Sequence, residues 1–178
     1  MGTVRCTAKL LNELGAKASV VPTQPPSLSD WHANLLRVDR KKCVLFTNDQ
    51  TLYSFLIHLM KKPLSTDFGE LFRLGLLKSL VSEGLNDPYV GHMLGSQETL
   101  IITKTGSRSI LGSMNDLAFQ IKCMMDAMGG LANADLSEIG RELNRIPMSA
   151  IKYNVGIEEL KRRLVEPESR TANSGAQT

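Results

Sequence analysis

The feature that most constrains this chain is a pair of apolar runs, Trp31 to Val38 and Cys43 to Asn48, separated only by Asp39-Arg40-Lys41-Lys42. Two such runs around a short polar break predict a β-hairpin. The second run is apolar on both alternating faces, with Val44 and Phe46 on one and Cys43 and Leu45 on the other. A strand of that kind lies inside a sheet and is covered on both sides. Asn48-Asp49 marks the next turn, and Leu52 to Leu59 follows as a third strand. A three-stranded meander results.

Other segments follow from periodicity and punctuation. Val4-Arg5-Cys6 reads as a short strand, and Thr7 as the cap of a helix carrying Leu10, Leu11 and Leu14 before Gly15. Residues 18 to 30, with Pro22, Pro25 and Pro26, read as a surface loop. Lys61-Lys62-Pro63 ends the meander, and Asp67 to Glu83 is helical through Phe68, Leu71, Phe72, Leu76 and Leu80. Asp87-Pro88 opens a loop through Gly95. Thr99 to Lys104 and Arg108 to Gly112 then read as a second hairpin about Gly106. Ser113 starts the next helix in a capping arrangement with Asp116, and Met114, Leu117, Ala118, Ile121, Met125 and Met128 share its apolar face.

Two short helices close the pattern, Leu136 to Arg145, ended by Pro147, and Ile157 to Val165, with Glu158–Arg162 and Glu159–Arg163 at favourable spacing. The expected class is therefore α+β: an antiparallel sheet of about five to six strands packed with about five helices. One domain is expected over residues 1–166, with a polar, disordered tail over 167–178.

Composition narrows the function classes. At 42% apolar and 22% charged, the 178 residues are those of an ordinary folded protein. A formal charge of +3 lacks the strong basic excess of a phosphate-binding domain, yet leaves room for a local basic patch. Cys6, Cys43 and Cys123 are odd in number, form no C-x-x-C pair and sit in apolar runs, so they read as small core residues in a reducing compartment. There is no secretory signal and no stretch near the roughly 18 apolar residues of a membrane span. A cytoplasmic location without membrane attachment is the expectation.

Residues able to carry chemistry are few. His32, His58 and His92 lack metal-ligand spacing, no nucleophile motif is present, and neither metal nor cofactor is expected. His32 and His58, on nearby strands of the meander, could share a site, or could be polar residues at strand ends. Asp30 either orients the His32 imidazole or belongs to a turn. Two blocks stand out. Along Trp31 to Lys42, alternation sets His32 and Asn34 on one face and Arg37 on the other, with Arg40, Lys41 and Lys42 at the hairpin tip. From Thr103 to Asp116, a hairpin bearing Lys104, Ser107 and Arg108 leads to a helix N-terminus near Asn115. Such an end favours anions. Alternatively, Ser113 and Asp116 only cap the helix and Gly112 permits a bend.

Arg5-Cys-Thr7, Trp31-His-Ala-Asn-Leu-Leu36, Asp39 to Asn48, Ser107 to Asp116 and Leu143-Asn-Arg-Ile-Pro-Met148 resemble a family of uncharacterised bacterial proteins classed only as a domain of unknown function. The resemblance runs from about residue 4 to about residue 165. It implies a bacterial, cytoplasmic domain, and no functional residue is carried over from it.

Three readings follow. The first is a non-catalytic binding or regulatory module that recognises an anionic partner, nucleic acid or protein, through basic hairpins bearing Arg37, Arg40, Lys104 and Arg108. The alternative is a small enzyme acting on a phosphorylated or nucleotide-like substrate. There His32 is the general acid or base, Asn34 and Asn115 orient the substrate, and Lys104 with Arg108 holds the anion. The third is an interaction surface on the C-terminal helices that holds a partner or a second copy.

Overall fold

The computed structural model describes residues 1–20, 25–59, 68–97 and 99–165. Its centre is β3 (Lys41–Asn48), flanked by β2 (Asp30–Val38) and β4 (Ser54–Leu59) in antiparallel ladders. This is the expected meander. The β2–β3 turn has only two residues, Asp39 and Arg40, both at positive φ (49° and 62°). Those dihedrals match the twist of a two-residue hairpin.

Both faces of β3 are buried, as its double apolar pattern requires. Val44 and Phe46 join Trp31, Phe55, Phe68 and Phe72 in one core. Trp31 meets Phe55 and Phe72 edge-on, with centroids 5.5 and 5.4 Å apart. Cys43 and Leu45 join Leu56, Met114, Leu117, Ile121 and Met125 in the other. Two helices, α1 (Ala8–Leu14) and α2 (Phe68–Ser82), cover the tryptophan face. Another two, α4 (Arg108–Ala127) and α5 (Leu136–Leu143), cover the methionine face. The Met-bearing side of α4 is thus core, as its spacing implied.

The sheet is mixed, which corrects the antiparallel expectation. β1 (Gly2–Cys6) lies between β2 and β5 (Leu100–Lys104), parallel to both, in the order β4-β3-β2-β1-β5. Long connections permit this: α1 and the proline-containing segment separate β1 from β2, and helices precede β5. Parallel pairing needs such crossovers, whereas a tight turn enforces antiparallel pairing.

The second hairpin does not exist. Residues 108–112 are the first turns of α4, capped by Ser107, whose Oγ accepts from the Ile110 N–H at 3.3 Å. Ser113, read as the helix start, is buried inside it. Ile110-Leu111 suits a helix face as well as a strand, and the turn before it proved to be a cap. Asp87–Gly95 is also helical (α3), not a loop, because Asn86 is its N-cap and Pro88 lies in its first turn, where a missing N–H costs nothing. With α6 (Gly156–Val165) there are six α-helices among the described residues, rather than about five. A further two-residue ladder joins β6 (Pro147–Met148) to β7 (Asn154–Val155). In α6, Glu159 takes Arg162 at 2.5 Å and Arg163 at 3.3 Å. The expected tail, Pro22, Lys61-Lys62-Pro63 and Asp67 lie outside the described residues.

Asn144, fully buried after α5, acts as a substitute strand. Its Oδ1 accepts from the Ser54 N–H at 2.7 Å and its Nδ2 donates to the Ser54 carbonyl at 2.9 Å. Its own carbonyl accepts from the Ile157 N–H at 3.1 Å, tying α6 to the same point. Asn144→Ala leaves both Ser54 groups unpaired and should destabilise the fold by roughly 2–4 kcal/mol, measured by urea unfolding.

The cysteines do not all match their expectation. Cys6 and Cys43 are buried, and burial pushes their thiols up to about 12 and about 11, whereas Cys123 is exposed on α4. A disulfide-exchange reagent at pH 8 should therefore titrate one thiol in the native chain and all three after denaturation.

Candidate functional site

A part-buried polar cluster sits where β1, β2 and the β3–β4 turn meet. Parallel register places Arg5 opposite His32 and Thr3 opposite Asp30 on one face of the sheet. Asp49, just after β3, reaches both basic groups. Its Oδ1 lies 2.6 Å from His32 Nδ1, and its Oδ2 accepts from the Arg5 guanidinium at 2.7 Å. Asp30 Oδ1 stands 3.6 Å from the same guanidinium nitrogen.

The turn that presents Asp49 is built by Asn48. Asn48 Nδ2 donates to the Leu28 and Asp30 carbonyls at 2.9 and 3.1 Å. Its Oδ1 accepts from the Gln50 and Thr51 N–H groups and from the Thr51 hydroxyl. The Asp49 N–H donates to the Asp30 carbonyl at 3.0 Å. Every polar atom of the Asn48 amide thus fixes the backbone that carries the carboxylate.

A carboxylate only accepts, so His32 Nδ1 is the donor in this contact. His32 is 1% exposed, and its Nε2 is buried with no hydrogen-bond partner among the described residues. The arrangement is an oriented imidazole. Asp49, not Asp30, does the orienting: Asp30 Oδ2 is engaged by Ser27 N at 2.9 Å and Ser27 Oγ at 3.1 Å, in a local turn. Reading along the chain missed Asp49, although the Asn48-Asp49 turn was legible. Hairpin register, pairing Asn48 with Trp31, is the signal that would have found it.

His58 is not part of this cluster. It aligns through Cys43 with Leu36, four residues along β2 from His32. That separates the two histidines by about 13 Å along the strands and about 10 Å across them. Among the described residues no group of three or more His, Cys, Asp or Glu is placed to hold a metal ion.

A second polar region lies at the carboxyl ends of β1 and β5. Cys6 pairs with Ala33 on one side and Lys104 on the other. Beyond it, the Thr7 hydroxyl donates to Asn34 Oδ1 at 3.1 Å, and the Thr105 N–H donates to the Cys6 carbonyl at 3.1 Å. The chain leaves β1 for the tryptophan face through α1, and leaves β5 for the methionine face through α4. Divergence of this kind at the carboxyl ends of parallel strands marks the usual ligand position in open α/β sheets.

The other residues singled out from sequence are dispersed about this end. Asn34 lies on the His32 face, while alternation turns Arg37 and Lys104 to the opposite face. Arg40 is at the hairpin tip, Ser107 caps α4, Arg108 begins it, and Asn115 faces outward from it. Arg37, Arg40, Lys104 and Arg108 are exposed and make no ion pair among the described residues, while Lys42 is held by Glu13 at 2.5 Å.

These features define a mixed-sheet α+β protein with a part-buried Asp–His–Arg cluster and a basic strand end. The chain belongs to the family described as Domain of unknown function (DUF6933), whose model matches residues 3–159. No curated protein matches it. Among the described residues no helix is long and apolar enough to cross a membrane.

Removing the shared acceptor exposes the cluster's energetics. Asp49→Ala leaves the His32 Nδ1–H without its acceptor and Arg5 with Asp30 alone, and should cost about 1–3 kcal/mol in urea unfolding. Nitrogen-15 spectra of the intact protein should show His32 with its proton on Nδ1.

Proposed function

We propose that the chain is a non-catalytic binding module for an anionic partner, nucleic acid or an acidic protein segment, engaged at the carboxyl ends of β1 and β5. One observation carries the reading: Lys104 and Arg108, exposed and without ion pairs among the described residues, flank the Ser107-capped start of α4. The first N–H groups of a helix and its positive dipole end favour an anion there. Asn34 adds an amide beside Thr7, and Arg37 and Arg40 extend the positive field along β2, which runs on past the end of β1. Asn115 lies further along the exposed side of α4.

Fluorescence polarisation with labelled single-stranded DNA, duplex DNA, RNA and an acidic peptide tests this at low and moderate salt. Binding should weaken steeply with salt, with a logarithmic slope of about −0.9 per duplex phosphate contacted. A Lys104→Glu/Arg108→Glu variant should lose about two contacts of that slope while keeping wild-type stability. Absence of salt-sensitive binding to all four probes sinks the proposal.

The enzyme reading is favoured by the Asp49–His32 pairing alone, since that pairing is how a general base is oriented. Burial of His32 and the opposed faces of His32 and Lys104 weigh against it.

A further inference from the structure

Strand β4 is an edge of the sheet, and its outward hydrogen-bonding groups can be assigned from Asn144. Both the N–H and the C=O of Ser54 face that side chain, away from β3. Strand groups alternate, so the N–H and C=O of Leu56 and His58 also point outward. Among the described residues these four groups have no partner. Asn144 thus occupies the first rung of a ladder whose next two rungs are open.

The open rungs lie in a cavity of about 500 Å³ between α2 and α5. Leu71, Leu74 and Gly75 form its apolar wall, and Ser137 with Asp135 forms the opposite one. Gly75 permits the close approach of α2, since a Cβ there would lie 2.6 Å from Ile57 Cγ2. The two helices sit on opposite faces of the sheet yet contact each other around its edge, and Arg145 pairs with Glu83 there at 2.9 Å. The cavity walls thus flank the open rungs of β4 on both sides.

Charge specifies that segment further. The Asp135 carboxylate is already engaged by the Ser137 and Glu138 N–H groups at the start of α5. Lys78, exposed on the cavity rim, has no ion pair among the described residues. Lys78 is therefore the charged lining residue that makes neither a hydrogen bond nor an ion pair among the described residues.

We infer that the open edge of β4 is a strand-addition site for an extended segment of a partner protein, with alternate apolar residues against Leu71 and Leu74 and a carboxylate reaching Lys78. Main-chain bonds to Leu56 and His58 supply affinity, and the two walls supply selectivity.

The probe is a phage-displayed library of random heptapeptides screened on the full chain, with enriched peptides resynthesised for polarisation. Enriched sequences should alternate apolar residues and carry Asp or Glu. Lys78→Glu and Leu74→Asp, both at exposed positions, should each weaken binding about tenfold, the loss of one rim or wall contact. N-methylation of alternate peptide residues should abolish binding while methylation of the intervening ones does not. Amide exchange at Leu56 and His58 should slow on saturation. The inference is overturned if no peptide is enriched, or if binding ignores both substitutions and the methylation pattern. It is equally overturned if light scattering shows a dimer whose Leu56 and His58 amides are protected without peptide, because a second copy then covers the edge.

Discussion

The structure depends on the burial of β3 from both sides. Each face of that strand carries side chains that water would penalise, so the sheet needs a helical layer above and below. The tryptophan-side core, with Phe46 stacked on Phe55 at 4.9 Å, and the methionine-side core of α4 and α5 are the two halves of that requirement. Neither half is a complete core without the strand they share. A fold built this way leaves only its margins for recognition: the strand ends, the outer edge and the helix termini.

Two asparagines stabilise those margins by imitating backbone. Asn48 satisfies the turn after β3, and Asn144 satisfies the first rung of β4. Buried amides are tolerated because each of their donors and acceptors meets a main-chain group, which removes the penalty for leaving water. Their placement also has consequences for chemistry. Asn48 aims Asp49 at His32 and Arg5, and Asn144 leaves Leu56 and His58 as the open positions of the edge.

The polar features divide by accessibility. The Asp49–His32–Arg5 cluster is largely withdrawn from solvent, and one carboxylate accepts from both basic side chains. The carboxyl ends of β1 and β5, with Ser107, Lys104 and Arg108, are open to solvent and carry uncompensated positive charge. The first ties β1, β2 and the β3–β4 turn together, whereas screening water weakens charge interactions at the second.

The sequence by itself determined the meander, the double burial of β3, the Met face of α4 and the helices near residues 68–82, 136–143 and 156–165. Each follows from periodicity within one segment, and a local period survives any tertiary arrangement. It also exposed Lys104, Ser107 and Arg108 as a group, because they are neighbours in the chain. Tertiary structure alone decided that β1 enters between β2 and β5 in parallel, since no single strand records which partner it will find. It alone brought Asp49 to His32 and Arg5, a meeting of residues up to 44 positions apart that depends on strand register. The same holds for the residues after Ser107, where the apolar pattern suits strand and helix alike and the packing of α4 on the sheet selects the helix.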